Sequence, residues 1–316
     1  MMRKLWAVAR VAVGAALLYY VFSRADNWTA LKQLLSSAWL LPLLGAQALC
    51  GNAIEALRLR VLFRSQRIAV PFGYGFQLCS ISSFFNLCIP GGTGGDLLKF
   101  YYLRERHGRT LEIATVLLID RIVAMFALLG LILALAVAEG SLIRHYAIIR
   151  VLIFCVAALM VALPAAALVS CSSRMGLARW LARNRHMARV VGAVHAFRDH
   201  KGALAAAAGV SLAGHLLLAA MFAITGSVVL PHAPALVVCV LALLGMFANL
   251  VPITPGGLGV GESAFQALFA VAGFSAGAPL MLAYRAGTVF PSLIGCALYA
   301  RGIRQPRYAR TKGQAA

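Results

Sequence analysis

Residues 202–261 contain no Asp, Glu, Lys or Arg. As helix, those sixty residues would extend about 90 Å, roughly three times the ~30 Å hydrocarbon core of a bilayer. A soluble fold of this size needs polar surface to cover its core, and the chain lacks it. Hydrophobic residues make up 62% of the 316 and charged residues 12%, against about 45–50% and about 25% in soluble domains. A membrane β-barrel alternates apolar and polar residues over ten-residue segments, whereas the apolar runs here are continuous. The expected fold class is all-α, a polytopic integral membrane protein.

Apolar runs long enough to cross occur at about 5–22, 38–57, 113–138, 147–170, 202–230 and 277–300. The first follows Arg3 and Lys4 but has no small-x-small cleavage site, so it reads as an uncleaved span. Two further runs, 72–98 and 235–272, are interrupted. One contains Pro90-Gly91-Gly92-Thr93-Gly94-Gly95-Asp96, the other Pro255-Gly256-Gly257-Leu258-Gly259-Val260-Gly261-Glu262. Pro removes a helical N–H and clashes with the preceding turn, and each Gly weakens a helix interior, so no continuous helix passes either point. Broken helices at membrane depth are tolerated only inside protein or beside a polar cavity.

Basic residues number 29 against 9 acidic, a net charge of +20. They cluster between apolar runs, as cytoplasmic loops do. No aromatic-basic groove or recognition motif accompanies them, which argues against nucleic acid as a partner. With a cytoplasmic N-terminus and both broken runs re-entrant, 23 of the 29 fall on the cytoplasmic side, at 3–10, 58–67, 99–109, 174–201 and 301–312. That asymmetry favours re-entrant segments in the plasma (inner) membrane, with both termini cytoplasmic. Within 174–201, Leu177, Trp180, Leu181, Met187 and Val191 share one helical face, the pattern of an interfacial amphipathic helix.

The same order, span then broken run then span, occurs over 38–138 and 202–300. Each break has an Asn upstream (Asn86, Asn249), a Pro-Gly-Gly-x-Gly core and a carboxylate just after it (Asp96, Glu262). Each is followed by one Arg in the next span, Arg121 or Arg285, 31 and 30 residues after the respective Pro. The connecting stretch 139–201 contains one crossing, so the second copy is inverted. A single membrane domain, 1–316, is expected, with a first span at 5–22 and a basic tail at 301–316. Inverted repeats of this kind are an architecture of secondary transporters.

Arg121 and Arg285 each lie eight residues into their spans, about 12 Å deep. A central Arg costs at least ~2.5–3.5 kcal/mol to insert, so something holds it. Asp96, Asp120 and Glu262 are candidate structural partners. A guanidinium also grips phosphate bidentately, and a carboxylate can hold each Arg until a headgroup displaces it. Asn86, Asn249, Gly91, Gly92, Gly256 and Gly257 complete the candidate headgroup site, the glycines either leaving backbone N–H groups free for phosphate or simply turning the chain. Asn52 and Glu55 read as capping or snorkelling residues, and His215 as an interhelical hydrogen bond. No catalytic residue, metal site or cofactor is expected: HExxH, CxxC and the Gly-Lys-Ser/Thr of a phosphate loop are absent. The seven cysteines read as small hydrophobes.

The segments FFNLCIPGGTGGDLLKFYYLRER, TVLLIDRIVAMFALL, FANLVPITPGGLGVGESAFQALF and AYRAG resemble the flippase-like family, the transmembrane part of lysylphosphatidylglycerol synthases. The resemblance covers about residues 5–302. It implies a protein that moves lipids with charged or glycosylated headgroups between leaflets. Bifunctional members add a soluble aminoacyl-transferase domain; this sequence stops soon after its last span, so the membrane part alone is expected. Asp120-Arg121 stands where the family often has Glu-Arg. The leading expectation is a non-enzymatic lipid translocator handling an anionic or otherwise polar headgroup in a central polar cavity. The alternative is a membrane scaffold that presents a lipid to a partner enzyme. Membrane lipids with anionic headgroups are the expected partners; a lipid-modifying enzyme and a second copy of the chain stay open.

Overall fold

The computed structural model describes residues 25–88, 94–171, 200–248 and 257–302, together with Tyr19, Ser23, Phe197 and Thr254. Regular structure among these residues is α-helix: α1 Ala25–Ser36, α2 Leu40–Ser65, α3 Phe72–Cys88, α4 Gly94–His107, α5 Thr110–Glu139, α6 Ser141–His145, α7 Ala147–Cys171, α8 Lys201–Val229, α9 Ala235–Ala248, α10 Val260–Val271 and α11 Ala278–Ala300. Helices α2, α5, α8 and α11 are long and apolar enough to cross a membrane. The chain is a polytopic all-α membrane protein. The expected first span (Tyr19 aside), the amphipathic stretch at 174–201 up to residue 196, and the tail from residue 303 lie outside the described residues.

Both Gly/Pro runs interrupt helix. Helix α3 ends at Cys88 and α4 starts at Gly94; α9 ends at Ala248 and α10 starts at Val260. Before α10, Gly257 and Gly259 have φ of 69° and 81°, a region that only Gly enters without a Cβ penalty. The order long helix, two short helices, long helix therefore occurs as α2, α3, α4, α5 and again as α8, α9, α10, α11.

Two boundaries differ from the sequence expectation. Helix α2 runs to Ser65, well beyond residue 57, because Leu59, Leu62 and Phe63 continue its buried face. Helix α1 was not expected. Ala30 and Leu34 bury its inner face, and it packs on α8 and α11, while Trp28 and nearby Trp39 stay exposed.

The two halves are interleaved. Helix α11 packs most extensively on α3 and α2, and α8 on α2 and α5. Backbones approach closely where α11 crosses its neighbours. A Cβ at Gly287 would sit 2.8 Å from the Leu44 carbonyl oxygen, and one at Gly295 would overlap the Ser80 carbonyl. Lipid tails are as apolar as Leu, so close backbone packing replaces the hydrophobic drive between helices. Helices α5 and α8 run side by side in the same direction. His215 Nε2 donates to the Ala124 carbonyl at 3.0 Å, the expected interhelical bond, and one turn earlier Arg58 reaches both Asp120 and Ser211.

Adding a methyl at these crossings forces backbone apart. Gly287→Ala and Gly295→Ala are expected to lower the melting temperature in detergent, whereas Gly51→Ala, whose Cβ meets nothing within 4 Å, is expected to leave it unchanged or raise it through helix propensity. Circular-dichroism melts of the three variants check this.

Candidate functional site

Asp96 and Glu262 are each the third residue of the helix that follows a break, α4 and α10. The positive end of the helix macrodipole favours a carboxylate there. Each acid is taken by the Arg of the next long helix. Arg121 Nη2 and Nε lie 2.5 and 2.7 Å from Asp96 Oδ2; Arg285 Nε lies 2.5 Å from Glu262 Oε1. Two of the expected pairings are therefore formed, but the two centres are built differently.

The Arg285 centre is closed. Glu262 is fully buried, and its Oε2 accepts the Gly259 N–H at 2.8 Å. Arg285 Nη2 also donates to the Gly257 carbonyl at 2.6 Å. The ion pair is thus fastened to the turn before α10. Gln266 fastens the other end, donating to the Ser275 carbonyl at 2.6 Å and accepting the Ala278 N–H at 3.3 Å.

The Arg121 centre is open. Arg121 is 50% exposed and Asp96 30%. Lys99, one turn after Asp96 on α4, is only 3% exposed; its Nζ bonds Glu55 and lies 3.5 Å from Asp96 Oδ1. The charges alternate, Glu55, Lys99, Asp96, Arg121. Helix α4 is capped from the other arm of the break: Gly95 N–H donates to Asn86 Oδ1 at 2.9 Å, and Ser82 Oγ donates to the Gly95 carbonyl at 2.7 Å. A Cβ at residue 95 would sit 2.7 Å from the Ser82 carbonyl oxygen, so the two arms meet only because residue 95 is Gly. On α2, Asn52 accepts from Ser83 Oγ at 3.2 Å.

Asp120 turns to a third centre. It takes Arg58 bidentately at 2.6 and 2.8 Å, and Arg58 Nη1 donates to Ser211 Oγ at 3.2 Å. This buried cluster joins α2, α5 and α8. Neighbouring residues on a helix do not face the same way, so Asp120 and Arg121 serve different partners.

Several expectations change accordingly. Arg58 and Lys99, counted among the cytoplasmic loop charges, are buried in ion pairs. Glu55 is part of the charge cluster, not a snorkelling residue. The glycine N–H groups expected to be free are occupied where described: Gly95 by Asn86, Gly259 by Glu262, and Gly257 by the Thr254 carbonyl at 3.1 Å. Asn249, Gly91, Gly92 and Gly256 lie outside the described residues. The missed signal was the three-residue spacing of Asn52, Glu55 and Arg58 along an otherwise apolar run, with Lys99 one turn beyond Asp96.

An apolar groove of about 830 Å³ lies between α5, α7 and α8, with Ile119, Phe126, Met160 and Leu212 in its lining. Its α5 residues, Ile119, Ile122, Val123 and Phe126, follow a helical repeat that leaves Arg121 on another face. Among these centres, the Arg121 side is the one that leaves its ion pair open to an incoming group. There a phosphate can replace Asp96 on Arg121 while Asp96 keeps Lys99 as counter-charge. Among the described ion pairs, Glu262 has only Arg285, so the same exchange would strand a buried acid.

The asymmetry is measurable. Breaking a buried pair by removing one partner costs about 3–5 kcal/mol. Arg58→Ala and Arg285→Ala are expected to destabilise the fold on that scale, and Arg121→Ala much less because its pair is half in solvent or lipid. The double replacement Arg58→Leu/Asp120→Leu is expected to recover most of the loss. Chemical unfolding in detergent gives the four values.

Comparison with curated proteins finds no match, and comparison with solved structures finds none. The family model described as Lysylphosphatidylglycerol synthase TM region matches residues 7–295. That match takes in both breaks, all three ion-pair centres and every described helix except the last turn of α11. The chain belongs to the lysylphosphatidylglycerol synthase transmembrane-region family, multi-pass membrane proteins tied to lipid handling.

Proposed function

We propose that the chain is a lipid translocator, not an enzyme, which passes a phosphate-bearing polar headgroup across the bilayer beside Arg121 while the acyl tails stay in lipid. The observation that carries this reading is the Arg121–Asp96 pair, half-exposed on a membrane-spanning helix with Lys99 beside it. An exposed ion pair at that depth is costly against hydrocarbon and is tolerated where it lines a polar path. The repeated element order supports two inverted halves with re-entrant broken helix pairs, and the clustering of basic residues between apolar runs supports cytoplasmic termini in the plasma (inner) membrane.

The test is movement of tail-labelled phospholipids in vesicles reconstituted with the purified chain, read by quenching of the outer leaflet. Arg121→Ala/Asp96→Ala is expected to fold normally and lose transport by about ten- to a hundredfold, the scale of a charged hydrogen bond at ~1.5–3 kcal/mol. Arg121→Lys is expected to fall between, since a point charge lacks the bidentate fork. Normal transport by the folded double variant sinks the headgroup path; lipid binding without movement in the native chain points instead to a presenting scaffold. For topology, single cysteines at positions 64 and 104 are expected to label from the same, cytoplasmic face. Labelling from opposite faces removes the re-entrant arrangement.

A further inference from the structure

The exposed surface of the Arg121 centre presents one cation and two anions. Arg121, Glu55 and Asp96 are all partly exposed, whereas Lys99 lies buried between the two acids. Glu55, Asp96, Lys99 and Arg121 together carry no net charge, and the adjoining Arg58–Asp120 pair is neutral as well. A phosphate that replaces Asp96 on Arg121 therefore adds a negative charge to a balanced cluster, in surroundings where an uncompensated charge is expensive. Lys99 cannot cancel it, because Glu55 and Asp96 already share that cation. A headgroup that carries its own ammonium brings the missing positive charge and offers it to the two exposed acids. Asp96 touches Arg121 directly, and Glu55 is within the electrostatic reach of Arg121. Phosphate and ammonium subsites are thus neighbours, as the two groups are in a short zwitterionic headgroup. The Arg285 centre has no such face, since Glu262 is fully buried and held by Gly259.

We propose that the Arg121 centre selects a zwitterionic phospholipid headgroup, with phosphate on Arg121 and ammonium on Glu55 and Asp96, over an anionic headgroup of similar size. The inference rests on the translocator reading for the choice of site, but it concerns binding and is tested apart from movement.

The experiment is competition on the full chain in detergent. A tail-labelled phosphatidylethanolamine is the probe, read by fluorescence anisotropy, with unlabelled phosphatidylethanolamine or phosphatidylglycerol as competitor. Phosphatidylethanolamine is expected to displace the probe at about tenfold lower concentration, a difference of about 1.4 kcal/mol. Soluble glycerophosphoethanolamine is expected to displace it poorly, which distinguishes a lipid from a free phosphate ester. Glu55→Gln removes one ammonium acceptor and leaves Lys99 paired with Asp96. In that variant, checked for native melting, the preference is expected to shrink or reverse toward phosphatidylglycerol. Equal or tighter binding of phosphatidylglycerol to the native chain overturns the proposal, as does absence of saturable probe binding or an unchanged preference in folded Glu55→Gln. Should Glu55→Gln not fold, the native-chain competition decides alone. Vesicle transport separates the two readings. Lost binding preference with movement of either lipid sinks the selectivity and keeps the translocator, and retained binding preference with no movement of either lipid does the reverse.

Discussion

A charged side chain inside a bilayer needs a partner of opposite charge, and the architecture of this chain is organised around that requirement. Arg121 and Arg285 sit on spanning helices, so each needs a carboxylate at depth. A carboxylate is most stable at the start of a helix, where unpaired N–H groups and the macrodipole favour it. A helix gains such a start wherever the preceding one stops. The breaks before α4 and α10 supply those starts, and Asp96 and Glu262 occupy the same third position in each. Glycine is what makes the breaks buildable: positive φ at Gly257 and Gly259 turns the chain into α10, and the missing Cβ of Gly95 lets α4 meet Ser82 and Asn86.

The difference between Asp and Glu separates the two halves. Glu262 has the extra methylene that lets a third-position side chain reach back to the N–H of the capping residue, as in a capping box. It therefore accepts the Gly259 N–H on one oxygen and takes Arg285 on both, most closely on the other. Asp96 is shorter. In its half the N–H of Gly95, the second residue of α4, is taken by Asn86 from the opposite arm. Among the described residues, both Asp96 oxygens face cations, one Lys99 and the other Arg121. One acid is tied to its own turn, and the other is shared between two cations.

Much of this was legible because the sequence writes it twice. The Pro-Gly-Gly runs, the acids after them and the Arg some thirty residues on pointed to both breaks and narrowed the partners of each Arg to Asp96, Asp120 and Glu262, since helix interruption and the cost of a deep charge depend on local sequence alone. Arg58 and Lys99 were not legible as site residues. By sequence they look like the loop charges around them, and the positive-inside rule counts charges without regard to burial. Only the packing of α2 against α5 and α8 turns Arg58 inward onto Asp120 and Ser211. The same limit explains Asp120, which adjoins Arg121 in sequence but faces another helix. It also explains the end of α2, where Arg58, Arg60 and Arg64 make the run look finished while Leu59, Leu62 and Phe63 keep its inner face buried.

The chain thus holds a yielding contact, between α4 and α5, and a stiff one, on α11. Tyr284 on that helix lies within electrostatic reach of Glu55, and the next residue, Arg285, is bound to Glu262 and Gly257. Farther along, Gly287 and Gly295 bring its backbone against α2 and α3. Freeing Arg285 would break bonds to a carboxylate and a carbonyl and strand an acid with no exposure to solvent. Freeing Arg121 breaks one partly exposed pair and leaves Asp96 its second cation. The charges at α4 and α5 are thus exposed and doubly partnered, whereas those at α10 and α11 are tied to a buried acid and its own turn.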